Sequence, residues 1–168
     1  VFRQFCGGVD LKESLEKVAE LNASNVGAIL DYAVEGAQEE KAFENTKNQI
    51  IEVIKKAETT EGIPVACMKM TGVARFELLE KVTAGLDLTE NEKQEYKRAV
   101  DRFEAICKTS YNTGIPIYVD AEETWIQPAI DRLIESRMRV YNKKKGVVFH
   151  TLQMYRSDKM DHQNWPKM

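Results

Sequence analysis

Three side chains of different chemistry follow short apolar runs: Lys69 closes 64–69 (PVACMK), Asp120 closes 116–120 (PIYVD), and Gln153 lies just past 146–150 (GVVFH). If the strand ends converge, a cation, an anion and an amide line one rim, a setting in which an anionic ligand could be held by the lysine. Asp120 carries the most information, because an ionised group at the mouth of a core costs several kcal/mol, on the order of other unpaired buried charges, until a cation or donor meets it. Glu122, Glu123 and Thr124 read as the opening of the next helix, where negative charge suits the dipole. Each candidate has a plainer alternative. Lys69 reads equally as a lysine snorkelling out of an apolar strand, Gln153 as a cap on the following segment, and Asp31 as a helix-capping or supporting carboxylate.

Other chemistries lack their signatures. The two histidines, His150 and His162, have no metal-ligand spacing, so no metal site is expected. There is no Gly-x-Ser-x-Gly elbow, no Walker loop and no framed Cys-His pair. A net charge of -3 with one short basic run, Lys143-Lys144-Lys145, argues against a nucleic-acid partner. Three widely spaced cysteines, Cys6, Cys67 and Cys107, fit a reducing compartment and read as small core residues. No apolar stretch approaches the roughly 20 residues that span a bilayer, and no signal or transit segment is evident.

The elements that must position these residues are legible. The runs 25–31 (NVGAILD), 64–69, 116–120 and 146–150 are continuously apolar, as in strands buried on both faces of a parallel sheet. Asp10 with Glu13, and Thr89 with Glu92, read as capping pairs at helix starts. Leu11, Leu15, Val18 and Leu21 then form one helical face, and Tyr96, Ala99, Val100, Phe103, Ile106 and Cys107 another. Pro128 suits a first helical position ahead of Ile130, Leu133, Ile134 and Met138. Gly-Ile-Pro occurs at 62–64 and again at 114–116, with glycine ending a helix and proline opening a strand. The string helix-β-α-β-α-β-α-β implies right-handed crossovers and a parallel sheet. No Gly-x-Gly-x-x-Gly follows the first strand, whereas every strand ends in a polar residue, which favours a (β/α)8 barrel over a doubly wound sheet. A whole barrel takes about 250 residues. The expectation is therefore that 1–168 is the N-terminal half of a (β/α)8, TIM-like barrel.

The segments 30–35 (LDYAVE), 68–71 (MKMT), 119–130 (VDAEETWIQPAI) and 149–155 (FHTLQMY) resemble, in order and approximate spacing, the successive strand-end motifs of the proline dehydrogenase family. The resemblance runs from residue 1 to about 156, and 119–130 is its most specific part. It implies a (β/α)8 barrel carrying FAD, usually non-covalently, that oxidises L-proline to 1-pyrroline-5-carboxylate by hydride transfer, with membrane quinone the usual electron acceptor. It implies that Lys69 helps hold the substrate carboxylate, Asp120 is the active-site aspartate, Ala121 gives a backbone contact to FAD, and Gln153 bonds the isoalloxazine edge.

Some family features are missing. The R-x-V-K-G-A-Y-like strand that contacts the flavin has no counterpart here, nor do the paired arginines of the late helix. Gly72 stands where members often have alanine, and most of 157–168 fits no motif. The fragment by itself is expected to be inactive. Compact spacing between strands suggests a bacterial, cytoplasmic protein associated peripherally with the inner membrane, or a mitochondrial one in a eukaryote. Two other readings compete: a small α/β module that binds an anion through Lys69 without redox chemistry, and a (β/α)8 enzyme that uses Lys69 as a Schiff-base nucleophile.

Overall fold

The computed structural model describes residues 6–31 and 39–157. Motif residues 32–35, His162 and the segment 158–168 lie outside the described residues. The described elements run α1 (Leu11–Asn22), β1 (Leu30–Asp31), α2 (Glu40–Glu58), β2 (Ala66–Met68), α3 (Phe76–Ala84), α4 (Glu90–Thr113), β3 (Ile117–Val119), α5 (Gln127–Tyr141) and β4 (Val148–His150), with a 3-10 turn at Met70–Gly72. The four strands are all parallel and lie in the order β1-β2-β3-β4. Sequence order without a reversal is what a barrel wall requires, since a doubly wound sheet has a switch point.

Local chemistry sets the helix ends. Asp10 Oδ1 accepts from the Glu13 N–H at 2.9 Å and so caps α1, while the Glu13 carboxylate reaches back to the Val9 N–H at 3.1 Å. Thr89 and Glu92 form the full reciprocal capping box of α4. Gly114, at φ 73°, is the left-handed cap that ends α4. Gly62 does a different job from its repeat partner. It lies beyond α2 at φ 90°, a β-carbon there would sit 3.0 Å from the Asn22 side chain, and its carbonyl accepts from Ala28 N–H at 2.7 Å. Pro128 is the second residue of α5, one place later than expected.

Two expectations change. The β2–β3 crossover holds two helices, α3 and α4, separated by Gly85 at φ 68°, where one was anticipated. The strands are also buried on one face only. Leu30, Ala66, Ile117 and Val148 share a register row facing the helices, as do Met68 and Val119. They pack with Ile54, Phe103, Ile106, Ile130 and Ile134 into the main core. The intervening row, Asp31, Cys67, Tyr118 and Phe149, points the other way and keeps partial exposure, with the Tyr118 and Phe149 rings edge-on at 5.1 Å.

Candidate active site

At the carboxyl ends of the strands the chain leaves the sheet in three loops that meet. The ladder continues briefly, with Asp120 N–H donating to the Met68 carbonyl at 2.9 Å and Thr151 N–H to that of Val119 at 3.1 Å. Lys69, Asp120 and Thr151 thus follow one another across β2, β3 and β4. Beyond them opens a cleft of about 740 Å³ whose lining includes Lys69, Ala121, Gln153, Phe76, Trp125 and Tyr155. Trp125 and Tyr155 are 58% and 80% exposed and present aromatic surface at its mouth.

Lys69, Ala121 and Gln153 are therefore brought together. Asp120 is not among the residues lining the cleft. Its carboxylate lies 3.3 Å from Thr151 Oγ1, which donates to it, and it also bonds the Cys67 thiol. Burial and the nearby carboxylates of Asp120 and Asp31 push the Cys67 thiol up to about 12. Both causes work against a reactive thiolate at Cys67. Cys107, buried under the helices, is raised for the same first reason.

Ala121 and Gln153 each use one polar group and leave another. Ala121 N–H donates to Thr151 Oγ1 at 2.7 Å, and its carbonyl accepts nothing among the described residues. Gln153 Nε2 donates to the Glu122 carbonyl at 2.8 Å, while its buried Oε1 has no partner among the described residues. A buried acceptor with no partner among the described residues is uncommon, and Gln153 is the one residue with such an atom that also lines the cleft. Among the described residues the side chain bonds across to the loop after β3 and makes no bond to the segment after it.

The acidic segment departs from expectation. Glu122, Glu123 and Thr124 do not open the helix, because α5 begins only at Gln127 and residues 121–126 form a loop. The Glu122 carboxylate turns instead to Thr71, accepting from its N–H at 3.2 Å and closely from its hydroxyl. Burial raises the Glu122 carboxyl above its ordinary value, and the Thr71 donors oppose that rise. Behind it, Gln127 Oε1 accepts from Glu122 N–H at 2.6 Å and Gln127 Nε2 donates to Asp131 Oδ1 at 2.6 Å. His150 lies on this helix side, its Nε2 3.1 Å from the same Asp131 oxygen, which fits a His150 N–H donated to the carboxylate. Among the described residues, no cluster of three or more His, Cys, Asp or Glu side chains is placed to hold a metal.

Comparison with known proteins gives this geometry its context. The family model for proline dehydrogenase matches residues 14–167. The chain belongs to the proline dehydrogenase family. Carbapenem antibiotics biosynthesis protein CarD of Pectobacterium carotovorum subsp. carotovorum is 31% identical over 156 residues, covering 93% of this chain and 42% of that protein. Mitochondrial proline dehydrogenase 1 of Dictyostelium discoideum is 29% identical, covering 92% of this chain and 33% of that one. The chain thus spans well under half the length of these relatives. Its fold is similar to that of part of proline utilization A (PutA) from Bdellovibrio bacteriovorus, with a TM-score of 0.75 at 14% identity over 94% of this chain and 17% of that one. Eukaryotic relatives carry mitochondrial names, and CarD is bacterial. Among the described residues, no helix is long and apolar enough to cross a membrane.

Proposed function

We propose that the chain supplies the N-terminal half of a (β/α)8 barrel that oxidises L-proline to 1-pyrroline-5-carboxylate in proline catabolism, with FAD as cofactor. The observation that carries this reading is the convergence of Lys69, Ala121 and Gln153 on one cleft beside Asp120. Family membership supports it.

The donor set fits a flavin. Ala121 lines the cleft with its N–H engaged by Thr151, which leaves its carbonyl as an acceptor for a ring N–H, and the Gln153 amide lines the same cleft with an Oε1 that has no partner among the described residues. FAD, when bound, supplies the two-electron acceptor for the hydride that leaves the substrate ring carbon next to nitrogen. The chain's residues bind and orient. The Lys69 ammonium stabilises the substrate carboxylate, a charge-assisted contact stronger than a neutral one. Asp120, held by Thr151 and Cys67, sets a fixed negative charge near the basic nitrogen. Trp125 and Tyr155 offer aromatic surface at the cleft against which a planar ring can pack. A quinone takes the electrons onward, and the protein works in the cytoplasm at the inner membrane face, or in the mitochondrion of a eukaryotic source.

The test is kinetic, in the protein as its source makes it. Lys69→Ala and Asp120→Ala are expected to impair proline turnover, while Gln153→Ala chiefly weakens flavin binding. Unchanged kinetics in all three variants refute the assignment. Polypeptide 1–168 taken alone is expected neither to retain FAD nor to reduce a dye with proline. Stoichiometric flavin in it overturns the half-barrel reading.

A further inference from the structure

We propose that Glu122 is a positioning residue that ties the loops after β2, β3 and β4 into one unit and thereby fixes Lys69 and Gln153 in the cleft. Three chain segments distant in sequence meet on it. Its carboxylate holds the N–H and hydroxyl of Thr71, 51 residues away, and its carbonyl holds Gln153 Nε2, 31 residues away. Its own N–H is held by Gln127, five residues on.

Each bond bears on a neighbour that matters. Thr71 sits in the 3-10 turn that Lys69 opens, where Gly72 N–H donates to the Lys69 carbonyl at 3.2 Å. Fixing Thr71 therefore fixes the backbone from which Lys69 projects. Gln153 has one amide end tied to Glu122 and the other open, so the tie aims Oε1. Gln127 is 1% exposed and anchored in turn by Asp131, which His150 also meets. The anchor is thus set in the core behind the sheet rather than in the loops it governs.

A helix-opening glutamate has no reason to be buried. Here the carboxylate is part-buried against Thr71 although burial raises it above its ordinary value. Sequestering a carboxylate is unfavourable unless its bonds are made, and in return they define a geometry. Glutamine at this position keeps the length and one acceptor oxygen for Thr71, whereas alanine keeps neither.

The inference rests on the proposed function for its kinetic part alone, because the mechanical part can be read without flavin or substrate. Hydrogen exchange by mass spectrometry on the protein as its source makes it, wild type against Glu122→Ala, reads the loops directly. Exchange is expected to accelerate in 69–73 and 121–127 together, with Glu122→Gln restoring most of the protection. In the same variants, FAD is expected to dissociate about tenfold more readily and KM for proline to rise more than kcat falls, as suits loss of buried hydrogen bonds. Should Glu122→Ala fail to fold, Thr71→Val removes the hydroxyl donor alone and is expected to loosen 69–73 in the same direction. Unchanged exchange at 69–73 in a folded Glu122→Ala protein, or in Thr71→Val, overturns the proposal. Coupled loosening in a wild-type background that binds no FAD and oxidises no proline upholds the tie and defeats the functional reading.

Discussion

Two charged side chains, the buried Arg102 in the helical layer and the part-buried Glu122 at the cleft, are handled in opposite ways. Arg102 is 6% exposed yet met on every side: its guanidinium donates to the Val73 carbonyl at 3.0 Å and to Glu44 at 3.3 Å, pairs closely with Glu40, and lies 5.4 Å above the Phe43 ring. Burial lowers its proton affinity, but an arginine has affinity to spare and stays charged. Glu122 is held by a threonine and a glutamine, and the amide it ties keeps an open acceptor. Each guanidinium nitrogen of Arg102 is met within the chain, whereas the cleft wall holds an acceptor with no partner among the described residues, and that is how a scaffold charge differs from a site.

The sharpest way to break that contrast is to remove a cation from each region. Lys69→Ala is expected to lower kcat/KM for proline about a hundredfold, the loss of one charged hydrogen bond of roughly 1.5–3 kcal/mol, with a smaller loss of stability than Arg102→Ala causes. Arg102→Ala is expected to cost about 3 kcal/mol in urea unfolding while leaving KM nearly unmoved, since it strips a buried cation from its partners. If both variants lose stability and activity alike, the division into scaffold and site fails.

Smaller effects sharpen it. Gln153→Ala is expected to weaken FAD binding about tenfold, read by flavin fluorescence, with less change in unfolding. Thr89→Ala removes the hydroxyl of the α4 capping box and is expected to cost about 1 kcal/mol of stability and nothing in flavin affinity. The mildest test is of pH. Hydrogen bonds from Lys81 and from the Thr89 backbone hold the Glu92 carboxyl down to about 2. The stabilisation from this group is complete above its ordinary value of 4.5, declines as pH falls below that, and is gone below about 2. Lys81→Met is expected to move the Glu92 titration upward, as followed by carboxyl NMR shifts.

The sequence carried local information well and long-range information poorly. Thr89 with Glu92, Asp10 as a cap and Gly114 as a terminator act within one helical turn, so spacing alone exposes them. The strand positions were legible because apolar runs flanked by Gly-Ile-Pro have few other uses. Helix α3 was not, because a nine-residue helix ending at Gly85 reads as part of a longer helical stretch. The destination of Glu122 was out of reach for a deeper reason. Three acidic or hydroxylic residues before a helix satisfy the dipole rule, and nothing local reveals that Thr71 waits 51 residues away. Gln127 stood inside the most specific motif, yet its role depends on Asp131 and the fold that buries both.

The three thiols have unequal surroundings, and the inequality makes a tool. Cys107 is sealed in the core, and Cys67, between two carboxylates, keeps its proton to about 12. Cys6 is exposed. A thiol reagent reaches an exposed thiol before a shielded one, so a fluorophore or spin label is directed first to Cys6 among the three thiols of this chain. The chain thus has a built-in attachment point ahead of α1, from which distances to the cleft can be followed as ligands are added.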